Sequence, residues 1–515
     1  LRRADGVADV DRLVVGVLPL RALSRVGPID GAGREVEVRA WKYVIRGVTG
    51  GEVPVLLLDS GLPDNDPWDQ TLTDQLYGGD NYYRLCQEVV LGMGGAEILR
   101  ALGYSGPVTY HMNEGHAALV TLTLLEQHLN GRNSFDVTEA DLDDVEQRCV
   151  FTTHTPVPAG HDKFPSDMVR EVLGDERHSL LERAQGVANG ELNMTHLALH
   201  LSRFVNGVAM RHRDVSQGMF PNFPVNSVTN GVHAVTWTHP AFRELYDRRI
   251  PEWRRDANYL RYAVGIPLTE VQEAHDRCKA EFIAEVQRRT SVQLDPKVFT
   301  IGFARRATPY KRADLIFSDP ERLARIAREV GPMQIVYGGK AHPHDSGGKE
   351  LIKRIHEAAA RLQGQVRVVY LENYEMNLAQ LMIPGVDVWL NNPMKPLEAS
   401  GTSGMKAAIN GVPQLSVLDG WWIEGHVENV TGWSIGSGIE PESDPMKDAS
   451  DLYLKLERAV LPLYYGLPMA YAEMRRHAIS LNGSFFNTQR MVEQYVRNAY
   501  WPQPAAISYQ LSAIS

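Results

Sequence analysis

An α/β fold built on parallel sheets follows from the way the chain alternates its patterns. Short apolar runs such as Val386-Asp-Val-Trp-Leu390 and Phe299-Thr-Ile-Gly-Phe-Ala304 lead into polar loops, then into segments with apolar residues at helical spacing. Runs that are apolar almost throughout suit strands covered on both faces, the condition of a parallel sheet. At 515 residues the chain exceeds one hydrophobic core, so two large domains are expected.

The elements follow in order. The run Leu13-Val-Val-Gly-Val-Leu-Pro-Leu20 reads as the first strand, and strands are expected over 36–48 and 53–58. Residues 61–79 are rich in Pro, Asp, Asn and Gly and form a loop. Helical spacing covers 82–102, and 107–110 returns to strand before His111-Met-Asn-Glu-Gly-His116. A second strand ends at Val150-Phe-Thr-Thr-His154, followed by a Pro/Gly loop. Residues 240–297 are dense in charge and read as exposed surface helices, with Trp253, Leu260 and Val264 as packing points. Strands at 299–304, 334–341, 366–371 and 386–390 alternate with helices, and 453–464 and 488–500 are helical.

Composition narrows the class. An apolar fraction of 43% and a charged fraction of 23% are those of an ordinary globular protein. A net charge of −10 without a basic block argues against a nucleic-acid partner. No apolar run approaches about 18 residues and no signal-peptide pattern opens the chain, so no membrane partner is expected. Cys86, Cys149 and Cys278 are too few and too scattered for a disulfide framework, which points to a cytoplasmic enzyme.

Three loops carry chemistry. Residues 398–411 read Glu-Ala-Ser-Gly-Thr-Ser-Gly-Met-Lys-Ala-Ala-Ile-Asn-Gly, with a small-residue loop expected over 398–404 and a helix over 405–409 that Gly411 ends. Backbone N–H groups there can converge on an anion. Lys406, in or beside the first helical turn, meets the positive end of the helix dipole, which favours the neutral amine that condenses with an aldehyde. The same spacing suits an ordinary capped helix with a solvated lysine. Arg305-Arg306-Ala-Thr-Pro-Tyr-Lys311 follows a strand and can clamp a phosphate from two sides, or form a solvated basic loop. His111 to His116 and His154 lie where parallel strands present ligand-binding residues. The spacing is not that of a His-Glu-x-x-His helix and no third ligand is near in sequence, so no metal is expected.

Residues 398–406 resemble the pyridoxal-phosphate segment of the α-glucan (glycogen/maltodextrin) phosphorylases. The segments at 111–116, 154–161, 205–212, 228–237, 305–312 and 371–374 resemble that family in the same order, and matching motifs run over about 76–500. The resemblance is nearest to the short bacterial and archaeal type, which lacks the regulatory extensions of the animal form. It implies two Rossmann-like domains facing across a cleft, the GT-B glycosyltransferase fold. The domains would be 1–225, which binds glucan and whose upstream part is missing from this chain, and 226–480, which holds cofactor and phosphate. A C-terminal helix and tail, 481–515, would cross back.

The resemblance further implies retaining phosphorolysis of α-1,4-glucan (glycogen or maltodextrin) by orthophosphate, yielding α-glucose 1-phosphate. Lys406 would carry pyridoxal 5′-phosphate, with Thr402, Ser403, Arg305 and Trp237 around it, and the cofactor's phosphate as the acid–base group. Arg306 and Lys311 would hold the substrate phosphate, and the backbone carbonyl of His154 would face the oxocarbenium-like centre. Asn230, Glu398, Ser400, Gly401 and His116 would bind sugar. Homo-oligomeric assembly is compatible with this reading.

There are three departures from the family. Its glycine-rich phosphate loop, upstream of the Asn-Glu-Gly-His segment, is absent, and Gly92-Met-Gly-Gly95 in a helical run does not replace it. Arg305 and Glu375 stand where long-form members have lysine and arginine. Two other functions are therefore carried: a nucleotide-sugar glycogen synthase with the same layout, and a glucan-binding homologue with weakened catalysis.

Overall fold

The computed structural model describes the backbone at 11–13 and residues 35–501, other than 77, 105, 107, 342–344, 437 and 439–441. Of the first expected strand, 13–20, all but Leu13 lies outside the described residues. The chain forms two compact units, one of Leu1–Gly207, Ser216–Asn226 and Ala499–Ser515, the other of Val208–Val215 and Ser227–Asn498. Among the described residues, no helix is long and apolar enough to cross a membrane. Cys86, Cys149 and Cys278 are free and buried.

In the first unit, strands β1 (Arg39–Arg46) and β2 (Glu52–Asp59) form an antiparallel hairpin, and Asp11–Leu13 pairs with the outer side of β1. Strands β3 (Tyr110–Asn113), β4 (Cys149–Thr152) and β5 (Phe204–Gly207) are parallel, with β4 between the other two. The third strand starts where it was expected to stop. Its four residues pair one to one with β4, which draws His111, Met112 and Asn113 into the sheet.

The run 82–102 is helical as far as Ala101, as Asn81–Val89, a π-turn at Val90–Gly94, and Gly95–Ala101. Gly92 has a packing reason. A Cβ there would lie 2.8 Å from the backbone nitrogen of Val120.

The second unit holds six parallel strands: β6 (Phe299–Ala304), β7 (Met333–Gly338), β8 (Arg367–Leu371), β9 (Val388–Asn391), β10 (Gln414–Val417) and β11 (Gly432–Ile435). Their order is β8-β7-β6-β9-β10-β11. Every residue of β6, β7, β9 and β10 is buried, as the apolar sequences of the first three require. The winding reverses between β6 and β9. In doubly wound sheets the crevice outside the carboxyl ends at that point binds ligands.

Residues 240–297 are more than the charged surface the sequence suggests. Phe242, Tyr246, Trp253, Leu260, Val271, Cys278 and Phe282 are buried, although Val264 is exposed. Helix Leu268–Thr290 turns its charges outward while its other face enters the core. Tyr246 donates from its hydroxyl to the Ile409 carbonyl at 2.8 Å, fastening this region to the end of the Lys406 segment.

A buried charge cluster fixes the start of β9. Asp387 accepts from Lys279 at 2.6 Å, Arg475 at 2.8 Å, and the Thr300 N–H at 2.8 Å, with His275 at 3.1 Å. Burial alone would raise the Asp387 carboxyl, but the charge of Lys279 and the His275 hydrogen bond hold it far below the ordinary range. Asp387→Ala leaves two buried cations without their anion. It is expected to cost about 3–5 kcal/mol, read as a lower urea midpoint at unchanged slope. A loss within experimental error would refute the cluster's structural role.

Candidate active site

The loops after β6 and β9 meet at the reversal of the sheet. The first supplies Arg305, Arg306 and Lys311, and the second supplies 398–406. Arg305 Nη1 and Lys311 Nζ both donate to Glu398 Oε2, at 2.8 and 2.7 Å. Burial would raise the Glu398 carboxyl, but the charges of Arg305 and Lys311 bring it down to about 2. Burial, with Arg305 nearby, lowers the Lys311 ammonium to about 8 against the pull of Glu398. Arg306 is exposed.

The helix begins at Thr402 rather than 405 and runs to Ala408, because Gly401 takes φ 88° and turns the chain sharply before it. Thr402, Ser403 and Gly404 thus form the first turn, and Lys406 falls in the second. Burial lowers the Lys406 ammonium to about 8, so the site's interior does what was ascribed to the helix dipole. Lys406 Nζ lies 3.6 Å from the centre of the Trp237 ring. Asn410 Nδ2 donates to the carbonyls of both Trp237 and Lys406, at 2.7 and 2.8 Å, tying the two residues together. Ser403 Oγ accepts from Trp389 Nε1 at 3.1 Å, with Arg305 Nη2 at 3.4 Å. Ser400 Oγ is buried and has no partner among the described residues.

Asn230 is held from behind by residues that sequence reasoning missed. Arg490 donates to the carbonyls of Thr229 and Asn230 at 2.6 and 2.9 Å, and Asn230 N–H donates to Val208. A Cβ on Gly231 would lie 2.1 Å from the Asn487 carbonyl oxygen, so this loop and the C-terminal helix pack backbone to backbone. Glu375 is exposed at the start of helix Met376–Gly385.

In the first unit, Glu114 organises the His154 loop. It adopts φ 75°, an uncommon conformation for a residue with a side chain. Its Oε2 accepts from the His154 N–H at 2.7 Å and from Thr155 Oγ1 at 2.9 Å. His154 Nε2 lies 2.6 Å from Asn113 Oδ1, and burial lowers the ring's pKa. His116 contacts Asp162 at 2.9 Å, and hydrogen bonds to Asp162 and Glu88 raise it to about 9. Glu88, His116 and Asp162 converge although they are far apart in sequence. Arg84 joins both carboxylates, so the cluster carries its own cation.

A family profile described as carbohydrate phosphorylase matches residues 174–432. The chain is 36% identical to the glycogen phosphorylase of Aquifex aeolicus over 88% of this chain and 71% of that protein. It belongs to the carbohydrate phosphorylase family.

Two other members of the family are also similar. The maltodextrin phosphorylase of Thermococcus litoralis is 40% identical over 88% of this chain and 58% of its own length. The glycogen phosphorylase of Mycobacterium tuberculosis is 37% identical over 90% of this chain and 59% of its own. The chain thus spans about three-fifths of the length of those two relatives.

Two lysines at about 8 give this family member a readable signature. Amine acylation followed by peptide mass spectrometry should show rate midpoints near 8 for Lys311 and Lys406, against about 10.4 for an ordinary lysine. In Glu398→Gln the Lys311 midpoint should fall further, because the anion that holds its proton is gone. An unchanged midpoint in that variant would contradict the ion pair.

Proposed function

We propose that the chain performs the chemistry of an α-glucan phosphorylase, cleaving α-1,4-glucan with orthophosphate to give α-glucose 1-phosphate with retention. One observation carries this reading. A half-buried lysine of lowered pKa stands against an indole ring, on a loop and helix shared with a carboxylate that bridges two cations.

The residues fit pyridoxal 5′-phosphate. Lys406 offers an amine that is half neutral near pH 8, Trp237 flanks it, and Arg305, Ser403 and Thr402 form a donor set suited to a phosphate. When bound, the cofactor supplies a phosphate group that serves as acid–base partner to the substrate phosphate. Arg306 and Lys311 hold orthophosphate and offset the repulsion between two close anions, several kcal/mol at an effective dielectric of about 20. Glu398, the unpartnered Ser400 hydroxyl, Gly401 and Asn230 bind sugar hydroxyls, with His116 on the glucan side. In the first unit the Glu114 carboxylate steadies the loop of His154, whose carbonyl is the group we assign to the carbon that gains positive charge. The nucleotide-sugar synthase reading shares the layout and the Arg306/Lys311 pair, but such a site needs no half-buried lysine of lowered pKa at 406.

The protein incubated with pyridoxal 5′-phosphate should develop a near-ultraviolet to visible band. Borohydride should fix the cofactor on Lys406, and maltodextrin with orthophosphate should release glucose 1-phosphate. Lys406→Ala should abolish both the fixation and the release. Release at the wild-type rate by that variant would end this assignment.

A further inference from the structure

We infer that Asp419 is a positioning residue of this site, holding the Glu398 loop at the meeting point of Arg305 and Lys311. Asp419 follows β10 and is 1% exposed. Its Oδ2 accepts from the backbone N–H of Glu398 and its Oδ1 from that of Gly420, each at 2.9 Å. The turn then continues the grip, since Trp421 N–H donates to the Ser400 carbonyl at 2.9 Å. Gly420 lies so close that a Cβ would stand 2.5 Å from the Ser400 carbonyl oxygen, and it takes φ 55°. The Asp-Gly-Trp turn therefore presses on both residues 398 and 400, and only glycine fits its centre.

The carboxylate has an electrostatic cost that a purely packing role would avoid. Burial and the Glu398 charge raise it to about 6 against the two N–H donors and Arg211. The groups facing it are Glu398, Arg211, Lys311 and Tyr310. A buried carboxylate beside another is retained where its acceptors are needed, and here they are spent on the backbone of the residue that pairs both cations. The hold on Glu398 does not depend on the phosphorylase reading. That it serves phosphate and sugar binding rests on that reading.

The test is a double-mutant cycle in the full chain, reading the Lys311 acylation midpoint. Asp419→Asn is nearly isosteric and keeps one acceptor, so it serves as the variant that folds, and Asp419→Ala removes the grip. The expected result is a Lys311 midpoint below the wild-type value in both. The shift should shrink when Glu398→Gln is already present, to the part that the Asp419 charge exerts on Lys311 directly, because its hold on the loop acts through Glu398. An unchanged midpoint, a rise toward the ordinary lysine value, or a shift of full size in the Glu398→Gln background overturns the proposal. If the chain releases glucose 1-phosphate, Asp419→Ala should lower kcat/KM by about 10²-fold, as misplacement by about 1 Å does. A wild-type chain that releases none would count against the proposed function and leave the cycle readable.

Discussion

The Glu398 carboxylate, buried between Arg305 and Lys311, sets the terms for the rest of the site. Two cations this close would repel, and each would lose hydration on burial. One carboxylate oxygen takes a hydrogen bond from both, which draws the loop after β6 and the loop after β9 to a common point. On the phosphorylase reading the same arrangement is exchangeable. An arriving phosphate supplies the anion the cations need and frees Glu398 to accept from sugar hydroxyls. Lys311, already lowered to about 8, holds its proton in part because Glu398 is there, and a bound phosphate would hold it more firmly.

Such a meeting depends on the sheet. With β6 and β9 adjacent and parallel, their carboxyl ends lie side by side while their following helices leave toward opposite faces. Two loops separated by nearly a hundred residues then share one crevice. Small residues make the approach possible. A Cβ on Gly404 would lie 1.6 Å from Gln414 Oε1, so the helix carrying Lys406 sits directly on the neighbouring strand. Asn410 adds a fixed distance between Trp237 and Lys406 that side-chain packing alone would leave loose.

Much of this was legible in the sequence, and the limits were physical. The apolar runs gave β6 to β9, but not β10, whose Gln-Leu-Ser-Val is too short and too polar to stand out. Residues 398–406 stood out because glycine, serine and threonine cluster ahead of a lysine. The start of the helix did not, since its register depends on the φ of Gly401 rather than on periodicity. Helix Leu268–Thr290 was read as surface because its charges dominate composition, while its buried residues answer to partners such as Asp387, 108 and 112 positions away. Asp419 and Arg490 left no local signal at all. Each is a single polar residue whose contacts lie in another loop, and Arg490 reaches back 260 residues to Asn230.

Asp387 and Glu398 show why buried charge alone does not identify a site. Both are carboxylates held low by two cations each. Asp387 is closed in, with Lys279, Arg475 and His275 nearly inaccessible and the Thr300 N–H donating to it as well. No partner of it is open to a ligand, so its chemistry is spent on structure. Around Glu398 the cations keep some access, with 10% and 12% of their side chains exposed; among the described residues the buried Ser400 hydroxyl lacks a partner, as Arg475 Nε does in the other cluster. A cluster sealed from solvent gives a ligand no way in. One whose ion pair stays within reach of solvent admits one, and that access distinguishes the two clusters more sharply than their charge.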